Sequence, residues 1–162
     1  MTVAADGDLP ALVLSVPTGD DLDRITEICQ DADIQEWTFV PRNYQRSDAE
    51  FFVEQVVAKG WNEGRELTWA IREADAGASA HLVGMLGITL SGPEGARTGE
   101  VGYWLAAAAR GRGTMTRAVA ALIDTAFDPN GPLALSALRW RCDIHETSHG
   151  LVPNWASWKV AW

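Results

Sequence analysis

One segment constrains this chain more than any other: Gly102-Tyr103-Trp104-Leu105-Ala106-Ala107-Ala108-Ala109-Arg110-Gly111-Arg112-Gly113-Thr114-Met115. A strand pattern runs into a turn with two glycines, and a helical pattern begins at once. Met115, Val119, Leu122 and Ile123 face one way along that helix, which ends near Phe127, before Pro129 and Gly131. The first N–H groups of a helix have no partner inside it and carry the positive end of its dipole. Glycines let backbone come close to a ligand without a Cβ in the way. Such a junction suits a phosphate or pyrophosphate, and Arg110 and Arg112 add donors and positive charge. The bland alternative is a tight turn and nothing more. The segment is not a Walker loop, since no Gly-Lys-Ser/Thr follows. It is not a dinucleotide fingerprint either, since the third glycine is missing and the strands before it form a meander.

The rest of the chain sets the frame for that junction. Ala11 to Val16 reads as a short strand ended by Pro17. Thr18 then caps a helix whose Leu22, Ile25 and Ile28 share a face and which reaches about Ala32, with Asp20, Asp21 and Asp23 at its positive end. Ile34 to Tyr44 reads as irregular. Ser47-Asp48-Ala49-Glu50 matches a capping box, and the helix it opens ends at Gly60. Leu67 to Arg72, Leu82 to Leu90 and Glu100 to Leu105 read as three strands of an antiparallel meander, separated by turns at Ala74 to Ala80 and Ser91 to Gly99. After the glycine turn and its helix, Leu138 to Ile144 is a further strand, and Trp155 to Trp162 opens a last helix. This order is neither strict βα alternation nor all-β, so an α+β class is expected, with helices on both faces of a mixed sheet.

Composition narrows the partners. The chain has 162 residues, enough for one domain, and a formal net charge of -9. A phosphate-backbone binder needs a basic footprint, so this balance argues against nucleic acid as a partner, and it gives no reason to expect adsorption to anionic membrane. An acidic surface suits an amine or basic peptide, or simple solubility. Met1 to Pro10 carries acids and no apolar core, and no run approaches a membrane span, so a cytoplasmic protein is expected. Cys29 and Cys142 stand alone, outside any C-x-x-C spacing, and read as reduced and structural. His145 and His149 are four apart but lie in a stretch that reads as loop, so no metal site is expected.

Arg110-Gly111-Arg112-Gly113-Thr114-Met115 resembles the acetyl-CoA pyrophosphate loop of the GNAT N-acetyltransferases, whose pattern is Arg/Gln-x-x-Gly-x-Gly/Ala. Met115 departs at the last position in the way of the ribosomal-protein N-acetyltransferase branch. Thr116, Ala118, Val119 and the strand Gly102-Tyr103-Trp104-Leu105 resemble the same branch. So do Asp31 to Trp37, Pro41 and the Ser47 to Phe52 helix start, and Asn154-Trp155-Ala156-Ser157 before Val160-Ala161. The resemblance covers nearly the whole chain as a single domain, residues 1–162. It implies the three-layer α/β/α sandwich of that fold, around a mixed, largely antiparallel sheet.

The resemblance also implies roles. Acetyl-CoA is the donor and an amine, on a protein N-terminus or a small molecule, is the acceptor. Main-chain groups near Leu105, Ala106 and Ala107 would hold the pantetheine amides. The N–H groups of Arg110, Gly111, Arg112, Gly113, Thr114 and Met115 would hold the pyrophosphate. Asn154 would bond the pantetheine arm, or cap the last helix, or both. Ser157 matches a serine taken to protonate or hydrogen-bond the leaving sulfur; the alternative is an ordinary residue in a helix's first turn. The tyrosine acid commoner in the superfamily would fall near Ala161 and is absent. Glu100 is the candidate base, with an exposed strand carboxylate as the alternative, and Asp143 is a second choice. The eight tryptophans serve packing, and some of them an acceptor pocket. The family continues past the Val160-Ala161 region with two further strands, so the chain is expected to be C-terminally incomplete, with an apolar edge that favours a homodimer. A degenerate acyl-CoA-binding module without catalysis is the alternative function.

Overall fold

A computed structural model of the chain describes residues 1–74, 80–93 and 95–140. Its centre is the expected meander: β3 (Glu66–Ala74), β4 (His81–Ser91) and β5 (Thr98–Leu105) pair antiparallel in succession. β2 (Ala11–Ser15) adds antiparallel to β3, and a two-residue strand β1 (Thr2–Val3), which sequence periodicity does not reveal, adds to β2. β6 (Ala137–Trp140) pairs parallel with β5, so the sheet is mixed and runs in the order β1 to β6. A parallel pair needs a crossover, and helix α5 (Thr114–Ala126) supplies it.

Helices cover both faces of the sheet. On one face α1 (Leu22–Ile28), α2 (Ala32–Trp37) and α3 (Arg46–Phe51) bury Ile25, Ile34 and Ala49 against Ala70, Leu82, Met85 and Trp104. On the other, Met115, Ala118, Leu122 and Ala126 of α5 pack on Leu14, Ile71, Leu86 and Ile88. That is the three-layer arrangement expected of the fold. Along β3 and β4 the two-residue side-chain period alternates between the two cores until the register slips. Ile71 pairs with Gly84 but Arg72 pairs with Leu82, so Val83 is an extra residue. Across the bulge Val83 and Met85, two residues apart, fall in different cores. The Val83 carbonyl accepts from Ala106 N at 2.8 Å, which anchors the chain just after β5.

Three local expectations change. The first helix does not reach Ala32. It ends at Ile28, and α2 starts afresh with Asp31 as N-cap, its carboxylate accepting from Asp33 N at 2.8 Å. Part of the stretch expected to be irregular is therefore helical, because an Asp cap offers a new start within one turn. The capping box sits two residues early: Gln45 is the N-cap of α3 and its N–H donates to the Asp48 carboxylate at 2.7 Å, so Ser47 is inside the first turn. Gly60 does not end the helix. The rod runs on through a π-helical stretch (Phe52–Val57) and α4 (Ala58–Glu63) to Gly64, which adopts the left-handed cap with φ 62°. Gly60 is buried within α4, and a Cβ there would overlap the Glu66 carbonyl oxygen at the start of β3.

A buried ion pair ties the helical layer to the sheet. Arg72 on β3 donates to both carboxylate oxygens of Asp21, at 2.7 and 2.8 Å, and its Nε donates to Ser15 Oγ at 2.9 Å. Thr18, the N-cap of the turn leading into α1, donates its N–H to the same carboxylate at 2.8 Å. Burial pushes the Asp21 carboxyl up, but Arg72 and Thr18 outweigh it and hold the group below its usual range.

Gly60→Ala is expected to cost ~1–3 kcal/mol in urea unfolding, since neither backbone can move far. Gly19→Ala, with no atom within 4 Å of the added Cβ, is expected to change stability by less than ~0.5 kcal/mol. For Asp21 the folded pKa is depressed, so its stabilisation is present above the unfolded value of about 3.9 and is lost as pH falls through the folded value. Asp21→Asn should flatten the loss of stability below about pH 4 and cost ~3 kcal/mol at pH 7, because Arg72 stays buried without its partner.

Candidate functional site

After β5 the chain makes a short 3-10 turn at Ala107–Ala109, and Arg110 is extended. Gly111 and Gly113 then take left-handed conformations, with φ 70° and 78°. This is why both are glycine: an L side chain is strained there, although nothing lies within 4 Å of either added Cβ. The open space faces the first turn of α5. The first bond of its ladder runs from Arg117 N to Gly113 O, so the amides before Arg117 have no intrahelical acceptor. Gly111, Gly113, Thr114, Met115 and Thr116 line a cleft of about 210 Å³ together with Tyr103. A chain of backbone donors, a left-handed turn and a helix N-terminus around an open cleft fit a pyrophosphate.

The side chains of the turn are divided between holding it and facing out. Arg110 is committed to structure. Its Nε donates to the Leu105 carbonyl at 3.0 Å, and its two terminal nitrogens reach Asp31 at 2.8 Å and Asp33 at 3.0 Å. The guanidinium thus fastens the turn to the cap of α2. The Thr114 hydroxyl donates to buried Glu73 at 3.0 Å. Arg112 is half-exposed, 3.7 Å from the other Glu73 oxygen, and remains at the surface of the turn. Sequence reasoning gave no role to Asp31, Asp33 or Glu73; only the Asp-x-Asp pattern before a helix signalled the cap. Ala106 spends its N–H on Val83, as described above, and the Ala107 carbonyl accepts from Arg110 N at 3.2 Å.

A second and larger cavity, about 570 Å³, lies on the face covered by α1 to α3. Its floor is β3 to β5, with Thr68, Met85 and Gly102, and its walls come from α2, α3 and the segment between them. Glu100, half-buried on β5, lines it, so the proposed base faces a cavity of substrate size. Gly102 and Trp104 follow Glu100 on that face of the strand, while Tyr103 lines both cavities. The two spaces therefore flank β5. From Glu100 to Leu105 the strand spans about 17 Å at roughly 3.4 Å per residue. Burial pushes the Cys29 thiol at this cavity up to about 12. Burial, then Cys29 and Asp48, also raises Tyr44. Both are neutral at pH 7, so the charge of the cavity is carried by carboxylates. Beyond the expectation that some tryptophans shape an acceptor pocket, sequence reading singled out no residue of the wall between Glu36 and Phe52, because its members come together only through the packing of three short helices.

Asn154, Ser157 and Asp143, together with the two histidines considered for metal, lie outside the described residues. Among the described residues no cluster of His, Cys, Asp and Glu is arranged to hold a metal, and no helix is long and apolar enough to cross a membrane.

The sequence pattern of the acetyltransferase (GNAT) domain family matches residues 11–152. No curated protein matches the chain. Several solved structures share its fold. The microcin C7 self-immunity acetyltransferase MccE, in complex with acetyl-CoA and AMP, superposes with a TM-score of 0.66 at 20% identity, over 86% of this chain and 73% of that one. Mycobacterium smegmatis RimJ, in complex with CoA-disulfide, gives 0.69 at 18% identity, over 85% of this chain and 65% of that one. RimL, the ribosomal L7/L12 alpha-N-protein acetyltransferase, in complex with coenzyme A, gives 0.71 at 14% identity, over 90% and 77%.

Arg110→Ala, which removes two ion pairs and the bond to Leu105, is expected to lower unfolding stability by ~2 kcal/mol. Asp33→Asn should cost less than ~0.5 kcal/mol, since that carboxylate is 65% exposed. Urea titration of both variants reads the difference.

Proposed function

The chain belongs to the acetyltransferase (GNAT) domain family, and on that premise we propose that it is an N-acetyltransferase carrying the acetyl group of acetyl-CoA to a primary amine. The observation that carries the reading is the pair of cavities that flank β5 and share Tyr103 as a lining residue. One suits an anionic donor and the other an amine lined by carboxylates.

In this reading the amides of Gly111 to Met115 hold the pyrophosphate, the Arg110 N–H being given to the Ala107 carbonyl, and Arg112, which also reaches Glu73 and the Ala108 carbonyl, is the nearest exposed side-chain cation. Main-chain groups of Leu105 to Ala107 hold the pantetheine, less the Ala106 N–H already given to Val83. The amine must lose a proton to become a nucleophile, and Glu100 accepts it, directly or through water. The neutral nitrogen then attacks the thioester carbonyl: a C–N bond forms, the C–S bond breaks, and the sulfur takes up a proton. The family resemblance supports Ser157 as the group that hydrogen-bonds the leaving sulfur and Asn154 as a contact to the pantetheine arm. Membership of the ribosomal-protein branch rests on Met115 and its neighbours, and a protein N-terminus or a small amine both satisfy the chemistry.

Calorimetric titration with acetyl-CoA, with ATP and NADH as controls, tests the donor site. Saturable binding of acetyl-CoA alone is expected, weakened at least about tenfold by Gly113→Leu, which strains the turn and fills the cleft. No binding by the folded chain overturns the reading. Glu100→Gln is expected to lower kcat/KM for amine acetylation by about 10²–10⁴ while leaving acetyl-CoA affinity unchanged. Binding with no transfer to any amine would reduce the protein to an acyl-CoA-binding module.

A further inference from the structure

Resting on the donor-site reading, we propose that Glu73 is a positioning residue of that site: it holds the first turn of α5 in place while its charge opposes the pyrophosphate, and so it sets how fast CoA leaves. Glu73 lies near the end of β3, with Leu12 and His81 as its cross-strand partners. Leu12 belongs to the core under α5, so this row of side chains faces α5. The Glu73 side chain is only 6% exposed. A carboxylate that deep costs free energy unless its oxygens are bonded. Among the described residues, one oxygen accepts from the Thr114 hydroxyl at 3.0 Å, and the other lies 3.7 Å from Arg112, too far for a hydrogen bond. A neutral glutamine would accept from Thr114 equally well, so the hydrogen bond does not account for the charge.

Position accounts for it. Thr114 is the first residue of α5, where unbonded amides and the helix dipole present a positive end. Thr114 lines the donor cleft and Glu73 does not, so the carboxylate reaches that helix end from the protein side. The same positive end is thus shared by a resident anion within the fold and by the anion that enters the cleft.

Two opposite effects follow. The bond to Thr114 fixes the residue just after Gly113, so the turn is ordered before the ligand arrives. Against this, the Glu73 charge repels the two phosphates, and a buried charge is screened less than an exposed one. It also draws on Arg112, whose other contact is the Ala108 carbonyl at 3.4 Å, so the guanidinium is shared between Glu73 and any phosphate. The net result is a ready-made site of restrained affinity. Restraint has a use, because acetyl-CoA and the product CoA carry the same pyrophosphate. A grip on that group holds both equally and does nothing for the chemical step, while it slows product release.

The test is calorimetry with acetyl-CoA, and stopped-flow release of CoA, on the full chain and its variants. Glu73→Gln keeps the bond to Thr114 and removes the charge. It is expected to bind acetyl-CoA at least about fivefold tighter and to release CoA more slowly by a similar factor. A purely structural role for Glu73 predicts no gain. Glu73→Met removes charge and bond together, so its gain is expected to be about threefold smaller than that of glutamine. An equal gain for methionine overturns the positioning role. Arg112→Gln is expected to weaken binding by less than about threefold in the otherwise wild-type chain, and by at least about tenfold beside Glu73→Gln, where the guanidinium is no longer shared. Equal or weaker binding by folded Glu73→Gln overturns the proposal and leaves the donor site standing. A tenfold loss for Arg112→Gln alone also overturns it, and that half-exposed substitution is independent of how the Glu73 variants fold. No acetyl-CoA binding by the wild-type chain overturns the donor-site reading, and the role of Glu73 falls with it.

Discussion

Strand β5 has to serve two cores at once, and the rest of the molecule is arranged around that demand. Its side chains alternate, so Val101 and Leu105 join the core under α5 while Trp104 joins the core under α1 to α3. A strand buried on both faces requires a layer on each side. The same alternation puts Glu100 and Gly102 in the larger cavity and Tyr103 at the boundary with the smaller one. A one-residue slip would exchange the two sets and empty both sites of their side chains. The ladders to β4 and β6, which pair β5 from Thr98 to Leu105 on one edge and from Thr98 to Val101 on the other, hold that register.

The glycine turn depends on β5 in a second way. Its backbone amides are useful only if they are held open toward a ligand and not folded back on the protein. Side chains and the bulge do the holding. Arg110 locks to Leu105 and to the α2 cap, Thr114 locks to Glu73 on β3, and Val83 takes the Ala106 amide. These contacts fix the chain on either side of Gly111 and Gly113 and leave the first-turn amides of α5 facing the cleft. Arg110 also ties the glycine turn to one wall of the larger cavity, since α2 begins at the acids it holds and ends in Trp37 at that wall.

Where sequence reading of the fold went astray, the cause was local ambiguity resolved by contact. Gly60 and Gly64 both look like helix ends. Only the left-handed φ of Gly64 makes it the cap, and Gly60 is small because β3 starts against it. Ser47 and Gln45 are both competent to open a helix, and the position of Asp48 relative to the backbone chose the latter. The break after Ile28 was missed because the shared face of Leu22, Ile25 and Ile28 carries no signal of where the helix stops, and Asp31 then restarts the helical course as the cap of α2.

By itself the sequence determined the meander, the crossover helix, the glycine turn at its start and, through Arg110 to Met115, the resemblance to the family that the chain belongs to. These are short-range patterns: alternation, helical period and the φ demands of glycine, each complete within a few residues. Tertiary structure alone decided that the Arg110 guanidinium is spent on Asp31 and Asp33, 79 and 77 residues away in sequence, while Arg112 stays at the surface. It alone gathered aromatic residues from α2, α3 and β5, with Glu100, around one cavity. A residue's type and neighbours in the chain state what it is able to bond; which partner it meets is set by the packing of elements far apart in sequence, and that packing carries no local signature.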